Sequence, residues 1–316
     1  MPPSNSPIIR RLFSLLGLVI FSLAIVAILR ELQAQDYRKI WINLRQFDPH
    51  TLLGTVGFTV ISYGAIACYD ILAFAYIKQP LSRAKIAFAS LIAYAVSPSI
   101  GFAALSGGAI RYRFYSSWGI STLKIAQVIV FSNLSLWVGI CAIGGGVFLI
   151  EPLILPSQLD LPFDSLRIGG ITFLLLTGLY LGICGLHPSP LRLRSLSFRF
   201  PSLKLALGQI VVFTLDWGFA AAALYLLLPR QYNLSYPQFF GIYMLAMVAG
   251  LLSTVPGGLG VFETVFLLSL TPAIKKTTLF SLLLVFRGIY YFFPLVVAVL
   301  LIGVYEGKKN RADLNL

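Results

Sequence analysis

The sequence predicts an all-α polytopic membrane protein, and two observations support that fold class. Of the 316 residues, 58% are hydrophobic and only 11% are charged, which is more apolar surface than a water-soluble domain of this length can bury. The apolar residues also fall into long runs, several of them close to the roughly 20 residues that a helix needs to cross a bilayer. We therefore expect a single integral membrane domain over residues 1–316, with residues 12–304 embedded.

The runs predict about eight transmembrane helices with one or two glycine-broken re-entrant segments. In chain order they are Leu12–Leu29, Thr51–Ile77, Ile86–Leu105, Leu123–Ile150, Ile168–Leu186, Leu205–Leu228, Phe239–Val255 and Thr278–Val304. Proline and glycine interrupt Ile86–Leu105 at Pro98 and Gly101, so we interpret it as a broken helix and re-entrant turn. Val261–Leu270 is too short for an ordinary span and is interpreted as half of a broken helix.

The net charge of +13 is interpreted as a topology signal and not as a nucleic-acid-binding surface. Short basic clusters separate the apolar runs, at residues 10–11, 78–85 and 187–204 and after Val304. Cytoplasmic loops carry an excess of Lys and Arg, so these clusters are placed on the cytoplasmic side of a plasma (inner) membrane. The acidic loop after Ile150 is placed outside. No nucleic acid is expected as a partner.

One irregular stretch, Ser253–Glu263, lies deep in apolar sequence. It contains Pro256 and the glycines Gly257, Gly258 and Gly260, so the helix before it must end or unwind there. Irregular backbone at membrane depth is tolerated only where it is buried in protein or lines a watery cavity. We therefore expect a functional site at this stretch.

A weak internal similarity predicts an inverted repeat. Ser106-Gly107-Gly108 follows a proline-interrupted apolar run, as Gly257-Gly258 does, and the helices that come next carry Val-Phe beside Asn133 and Arg287, respectively. In transporters, paired interruptions of this kind mark a substrate site at the repeat interface. Chance similarity between glycine pairs is the alternative.

Six charged residues fall within or close to the apolar runs, where each costs about 2.5–3.5 kcal/mol on insertion scales and is a functional candidate. They are Asp70, Arg111, Arg113, Asp216, Glu263 and Arg287. The planar fork of arginine suits a lipid phosphate, so Arg111 and Arg287 are expected to bind one. Glu263 and Asp216 are expected to pair with these arginines, to meet a cationic headgroup or to carry a proton. The alternatives are structural ion pairs and, for Asp70 and Arg113, side chains that reach the interface.

No catalytic residue, metal or cofactor is predicted. His50 and His187 lie in separate loops, and the three cysteines are widely spaced within apolar runs. The glycines of residues 257–260 lack the strand and the Gly-Lys-Ser/Thr sequence of a nucleotide-binding loop. Trp217 and the aromatic run Tyr290–Phe293 are expected to form lipid-facing belts and packing. The pattern favours a transporter over an enzyme.

Val255–Glu263, followed by Phe286–Tyr291 and Pro294, resembles the signature of the lysylphosphatidylglycerol synthase transmembrane region, a family of flippase-like membrane proteins. Leu105–Arg113 and Asp216-Trp217 are similar to the branch found in bifunctional lysylphosphatidylglycerol flippase/synthetases. This resemblance implies that an anionic or aminoacylated phospholipid moves between leaflets, which lowers surface negative charge and repels cationic antimicrobial peptides. It implies substrate-binding roles for Arg111, Arg113, Asp216, Gly257, Gly258, Gly260, Glu263 and Arg287.

The resemblance also bears on partners. In the bifunctional members a soluble aminoacyl transferase domain follows the membrane region, whereas this sequence stops at Leu316. The expectation is therefore a stand-alone flippase-like module without that domain, or one that uses a separate transferase. The expected partner is a membrane phospholipid, and a separate aminoacyl transferase and a homo-oligomer are left open. The rival hypothesis is a membrane subunit or enzyme of glycolipid or phospholipid transfer that acts with a separate catalytic partner.

Overall fold

A computed structural model describes residues 47–100, 103–151, 166–186, 191–193, 196–198, 200–229, 231–253, 255–271 and 274–314. The predicted first helix Leu12–Leu29 lies outside these residues. Within them, the elements are α1 (Pro49–Ile77), α2 (Arg83–Ile100), α3 (Ala103–Ser117), α4 (Thr122–Gly139), α5 (Gly145–Ile150), α6 (Arg167–Leu186), β1 (Leu191–Leu193), β2 (Leu196–Phe198), α7 (Leu203–Leu226), α8 (Tyr236–Leu252), α9 (Val261–Leu270), α10 (Lys276–Arg287) and α11 (Phe293–Leu314).

Three short helical segments connect or precede these helices. A π-helical turn, Ile140–Gly144, joins α4 to α5, and another, Gly288–Phe292, joins α10 to α11. A 3₁₀ turn, Pro256–Gly258, precedes α9. The apolar elements confirm the predicted all-α class. The exception is the antiparallel ribbon β1–β2 in the basic loop, which the sequence analysis did not predict.

Within the described residues, five continuous helical segments, some of which run through a π-helical turn, are long and apolar enough to cross a membrane. They are Pro49–Ile77, Thr122–Ile150, Arg167–Leu186, Leu203–Leu226 and Lys276–Gly307. The chain is therefore a multi-pass membrane protein. Two further apolar helices, α8 and α9, are shorter. The number of about eight crossings, the re-entrant segments and the inverted repeat stay predictions.

Helix α1 organises the bundle because it packs along α7 and also contacts α2, α4 and the π-helical turn at residues 288–292. Its buried positions include the polar residues Thr55, Thr59, Ser62 and Asp70. The two threonines donate to the carbonyls four residues earlier, at 2.9 and 2.8 Å, so their hydroxyls need no partner on another helix. Ser62 and Asp70 remain to bond across the bundle.

The run Ile86–Leu105 is divided as predicted, since α2 ends at Ile100 and α3 begins at Ala103. Its re-entrant path stays a prediction. The residues Ser106-Gly107-Gly108 come after this division. These residues are helical in α3, which packs on α2. A Cβ added to Gly107 would lie 2.5 Å from Ser97 Oγ in α2, so glycine serves close helix packing there and not a turn. Pro98 lies in the last turn of α2, and the helix ends two residues later at Ile100, as expected for a residue that interrupts helices.

The predicted break at Pro256 is confirmed. Helix α8 ends at Leu252, and Gly257, Gly258 and Gly260 have φ angles of 60°, 59° and 78°. Only glycine adopts such angles without strain. The helix that follows, α9, has ten residues over the predicted range Val261–Leu270. The chain therefore turns sharply between α8 and α9.

Candidate functional site

Two buried ion pairs occur among the described residues. The first joins α1 to α3 and is called here the α3 pair. Arg111 donates from Nε to Asp70 Oδ2 at 2.8 Å and from Nη2 to Oδ1 at 3.0 Å. Tyr115 and Ser132 donate to the same carboxylate at 2.7 and 3.0 Å. The Arg111 guanidinium lies 4.6 Å from the centre of the Tyr94 ring. The carboxylate thus accepts a two-point arginine contact and two hydroxyl donors, which makes the α3 pair a complete interaction.

Asp70 does not reach the interface, so that alternative is wrong for this residue. It is 0% exposed, because Arg111, Tyr115 and Ser132 surround its carboxylate inside the bundle. Arg113 differs: its side chain is 43% exposed and donates to Glu306 at 2.6 Å. Arg113 therefore does not lie among the buried charged residues with which it was grouped as a predicted substrate-binding residue.

The second ion pair, called the α9 pair, joins α9 to α10. Arg287 donates from Nε to Glu263 Oε1 and from Nη1 to the Gly257 carbonyl at 3.2 Å. The other Glu263 oxygen accepts the Gly260 N–H at 2.8 Å and so caps α9. Both side chains are buried, yet Arg287 Nη2 has no hydrogen-bond partner among the described residues. The α9 pair therefore retains one unused charged donor.

The two pairs approach consecutive residues of α2. A Cβ added to Gly107 would lie 2.5 Å from Ser97 Oγ and 3.1 Å from Arg111 Nη1. A Cβ added to Gly257 would lie 3.3 Å from the Pro98 carbonyl oxygen and 3.5 Å from Arg287 Nη1. Each glycine thus admits the arginine of its own pair beside the end of α2. The two glycine-containing segments, far apart in sequence, meet at this point.

Asp216, a third buried acid, lies in α7 and has hydroxyl partners only. Ser62 donates to its Oδ1 at 2.8 Å and Tyr69 to its Oδ2 at 3.3 Å. Ser62 also shares a hydrogen bond of 2.8 Å with the Tyr290 hydroxyl. Among the described residues the buried ion pairs are those of Arg111 and Arg287 with other acids. The arginine partner that was one of the roles predicted for Asp216 is therefore absent from the part of the chain described.

Tyrosine rings connect Asp216 to both pairs. On one side, the Tyr69 ring lies 5.9 Å from the Tyr94 ring, which faces the arginine of the α3 pair. On the other, the Tyr290 ring lies 5.2 Å from the Tyr291 ring, which faces the arginine of the α9 pair at 5.7 Å. The three charged positions consequently form one continuous polar and aromatic cluster.

An apolar groove of about 390 Å³ lies beside this cluster, between α1, α2 and α11. Its lining includes Val60, Gly64, Ile92, Val297 and Leu301. Tyr63 also lines the groove, and its hydroxyl donates to the Tyr290 carbonyl at 3.2 Å. The groove and the polar cluster therefore share Tyr63, so an apolar chain and a polar group could lie side by side here.

Several residues of the cluster were missed or misplaced by the sequence analysis. The packing predicted for the aromatic residues is confirmed at Tyr290 and Trp217, which are 7% and 5% exposed, whereas a lipid-facing position is wrong for these two. Asn133, singled out in the internal similarity, donates to its own helix at Ile129, and the neighbouring Ser132 binds Asp70. Hydroxyl residues are common in membrane helices, and nothing in the sequence distinguished Ser62 or Ser132 from the others. Among the described residues, no group of three His, Cys, Asp or Glu side chains could hold a metal ion.

A sequence profile described as the lysylphosphatidylglycerol synthase TM region matches residues 14–298. The chain belongs to this family. The match includes the α3 pair, Asp216 and the α9 pair, so all three buried charged positions lie in the part of the chain that defines membership.

Two relatives in this family align over nearly their whole length. An uncharacterized protein of Synechocystis sp. is 42% identical over 298 residues, which cover 94% of this chain and 92% of the relative. The inner membrane protein YbhN of Escherichia coli is 30% identical over 281 residues, 88% of this chain and 87% of YbhN. The chain is thus similar in extent to proteins that consist almost entirely of this membrane region.

A third relative is much longer. The phosphatidylglycerol lysyltransferase of Staphylococcus aureus is 23% identical over 314 residues, which cover 97% of this chain but only 36% of the lysyltransferase. The similarity therefore concerns about a third of that enzyme.

Proposed function

We propose that this protein translocates an anionic or aminoacylated phospholipid, of the lysylphosphatidylglycerol type, between the leaflets of the inner (plasma) membrane. The observation that best supports the proposal is the α9 pair: a buried arginine at a glycine-broken segment keeps an unpaired donor. A charged donor inside a membrane protein is costly unless it binds something. A lipid phosphate would complete it.

The headgroup would bind at Arg287 in this proposal. Its guanidinium already contacts Glu263 and the Gly257 carbonyl, which hold its plane in place while Nη2 stays available. The positive end of the α9 dipole lies at the same loop, near Gly260, and favours an anion. Glu263 would balance the arginine when no lipid is bound, and an aminoacyl ammonium would find that carboxylate close to the phosphate.

The acyl chains would follow the apolar groove. Tyr63 lines the groove and contacts the π-helical turn next to the polar cluster, so a lipid there keeps its chains among apolar side chains while its headgroup meets polar groups. Val60 is 58% exposed on the surface of the bundle, which gives the groove a lipid-facing wall. This division suits a molecule with one polar end and long apolar chains.

A second function is favoured by the similarity to the lysyltransferase. The membrane region would act as a subunit that holds a phospholipid for a separate catalytic partner, such as an aminoacyl transferase, without moving it across the bilayer. The relative's name and its greater length support this alternative. It uses the same lipid site, so the distinguishing property is movement.

Purified protein in liposomes would separate the two functions. The lipids are fluorescent phosphatidylglycerol, its lysyl derivative and a polyprenyl phosphate, and quenching reports the fraction in the outer leaflet. We expect selective movement of one lipid, lost in Glu263→Gln and kept in the matched control Arg113→Gln, whose side chain lies outside the buried pairs. Equal rates with and without folded protein, for every lipid, would contradict the translocase. Copurification of a transferase in that case would favour the subunit.

In cells, the same proposal links the protein to cationic peptides. Movement of an aminoacylated lipid to the outer leaflet would lower surface negative charge, so deletion should increase killing by cationic peptides and increase binding of a cationic dye. Restoration by the Arg113→Gln variant but not by Glu263→Gln would tie the phenotype to the α9 pair. An unchanged dye-binding level after deletion would rule out this role.

A further inference from the structure

The three buried acids of the cluster differ in what neutralises them. Asp70 pairs with Arg111 and Glu263 pairs with Arg287. Asp216 is 5% exposed and receives hydrogen bonds from Ser62 and Tyr69, which are neutral. An ionised carboxylate in such a place is costly unless a positive charge balances it. Asp216 therefore needs a positive charge that the described residues do not supply.

The titratable groups that face Asp216 come from four elements around α7, and all are phenols. They are Tyr63 and Tyr69 of α1, Tyr94 of α2, Tyr243 of α8, and Tyr290 and Tyr291 of the π-helical turn. The charged groups beyond them belong to the α3 and α9 pairs, each already neutralised by its own partner. Among the described residues no lysine or histidine is buried, and the buried acids other than Asp216 are those of the two pairs.

The hydrogen bonds around Asp216 suit a group that gains and loses a proton. In the ionised form Ser62 and Tyr69 donate to the two carboxylate oxygens. In the protonated form the carboxyl O–H needs an acceptor, and Ser62 Oγ can accept because its bond with the Tyr290 hydroxyl can run in either direction. The same atoms can thus satisfy both forms of the carboxyl group.

We propose that Asp216 is a proton-binding site through which a proton gradient drives the lipid movement. Proton binding stands on the geometry alone, whereas its coupling to lipid rests on the proposed function. Ionisation strengthens the bonds from Ser62 and Tyr69, and so draws α1 towards α7. Protonation weakens them beside Tyr63, which lines the groove and holds the Tyr290 carbonyl. The proton on Asp216 thereby controls the packing of the groove wall.

Infrared spectroscopy of the purified protein in nanodiscs tests proton binding without any transport assay. The C=O stretch of a protonated carboxyl group is followed while pH is raised. We expect a band that disappears with rising pH, is lost in Asp216→Asn, shifts in Asp216→Glu and is unchanged in the control Glu306→Gln. The same band in Asp216→Asn, or no such band in folded wild-type protein at any pH, would overturn the proposal. So would removal of the band by Na⁺ at constant pH, because the site would then bind sodium.

Coupling is tested in the liposome assay with a pH gradient imposed in either direction. We expect the gradient to change the rate and net direction of lipid movement in wild type and in Asp216→Glu, and to have no effect in Asp216→Asn. Lipid movement that ignores the gradient in wild type would overturn coupling and leave the translocase standing. Conversely, a titrating Asp216 band in protein that moves no lipid would overturn the translocase and leave the proton site standing.

Discussion

Two buried ion pairs, in distant parts of the described chain, each join a carboxylate to a guanidinium. They are Asp70–Arg111 and Glu263–Arg287. The first pair joins continuous helices, and its carboxylate accepts four hydrogen bonds. The second lies where glycines interrupt the helices, and its arginine spends one donor on a backbone carbonyl and leaves another unpaired. Both arginines approach the same end of α2. The pairs therefore differ in local backbone and in completeness, while their location is shared.

This difference predicts that one pair contributes mainly to stability and the other mainly to binding. A buried pair with every group satisfied fixes helices to each other, and removing one member exposes the full cost of the remaining charge. A pair with a spare donor on a glycine loop can accept a ligand without first breaking an internal bond. We accordingly expect changes in the α3 pair to affect folding first, and changes in the α9 pair to affect lipid movement first.

The largest expected effect is on folding, in Asp70→Asn. The substitution leaves the Arg111 charge buried without its counterion, which should cost about 3–5 kcal/mol in the free energy of unfolding. Chemical denaturation in mixed micelles measures it. Replacing both partners, as Asp70→Leu with Arg111→Met, should recover much of the loss because no charge is left unpaired. A single variant as stable as wild type would show that the α3 pair is not a structural lock.

Glycine replacement at the break should cost somewhat less. Gly258→Ala puts a Cβ 3.0 Å from Gly250 Cα at a φ of 59°, so contact and backbone strain add up to about 1–3 kcal/mol. Gly260→Ala is the matched control, because its φ is also positive but a Cβ there meets no atom within 4 Å. In thermal denaturation, Gly258→Ala should have a lower melting temperature than Gly260→Ala. The reverse order would mean that the approach of Gly258 to α8 does not matter.

Lysine at each arginine sharpens the comparison at constant charge. Arg287→Lys can keep Glu263 paired, but lysine lacks the planar guanidinium that carries the spare Nη2 donor. A bound phosphate should therefore lose a charged hydrogen bond of about 1.5–3 kcal/mol. The transport rate should fall about tenfold or more. Arg111→Lys should lower stability instead, because Asp70 loses a two-point contact. The measurement is the initial transport rate per folded protein. If both variants lower that rate equally, the two pairs share one role.

The smallest expected effect comes from Arg113→Ala. This arginine pairs with Glu306 where its side chain is 43% exposed, and such pairs contribute about 0–1 kcal/mol. Thermal denaturation and transport should both stay close to wild type. A strong transport defect would place Arg113 back among the substrate-binding residues.

Much of the architecture was predictable, because length and hydropathy are local properties. The run Thr51–Ile77 became α1, and the ten residues of Val261–Leu270 became α9 with the break before it at Pro256. The role of Gly107 could not be predicted from the sequence, for a definite reason. A glycine in sequence signals either a turn or a close approach, and only the position of Ser97 on the neighbouring helix decides between them.

The charged residues were predictable in kind but not in pairing. Each candidate could be found because a charged residue in an apolar run costs free energy on membrane insertion. The sequence spacing of Asp70 and Arg111, however, does not show which acid pairs with which arginine. Asp216 illustrates this limit: its predicted role as a counterion of arginine could be tested only once its described neighbours proved to be hydroxyl groups.

By itself, the sequence determined the membrane class, the helical runs, the glycine-broken segment and the charged residues, because each follows from the chemistry of neighbouring residues along the chain. The tertiary structure alone decided that the two arginines lie beside the same end of α2, that one retains an unused donor, and that Asp216 is surrounded by hydroxyl groups. These are contacts between residues up to 228 positions apart, as for Ser62 and Tyr290, and only the packing of the helices brings them together.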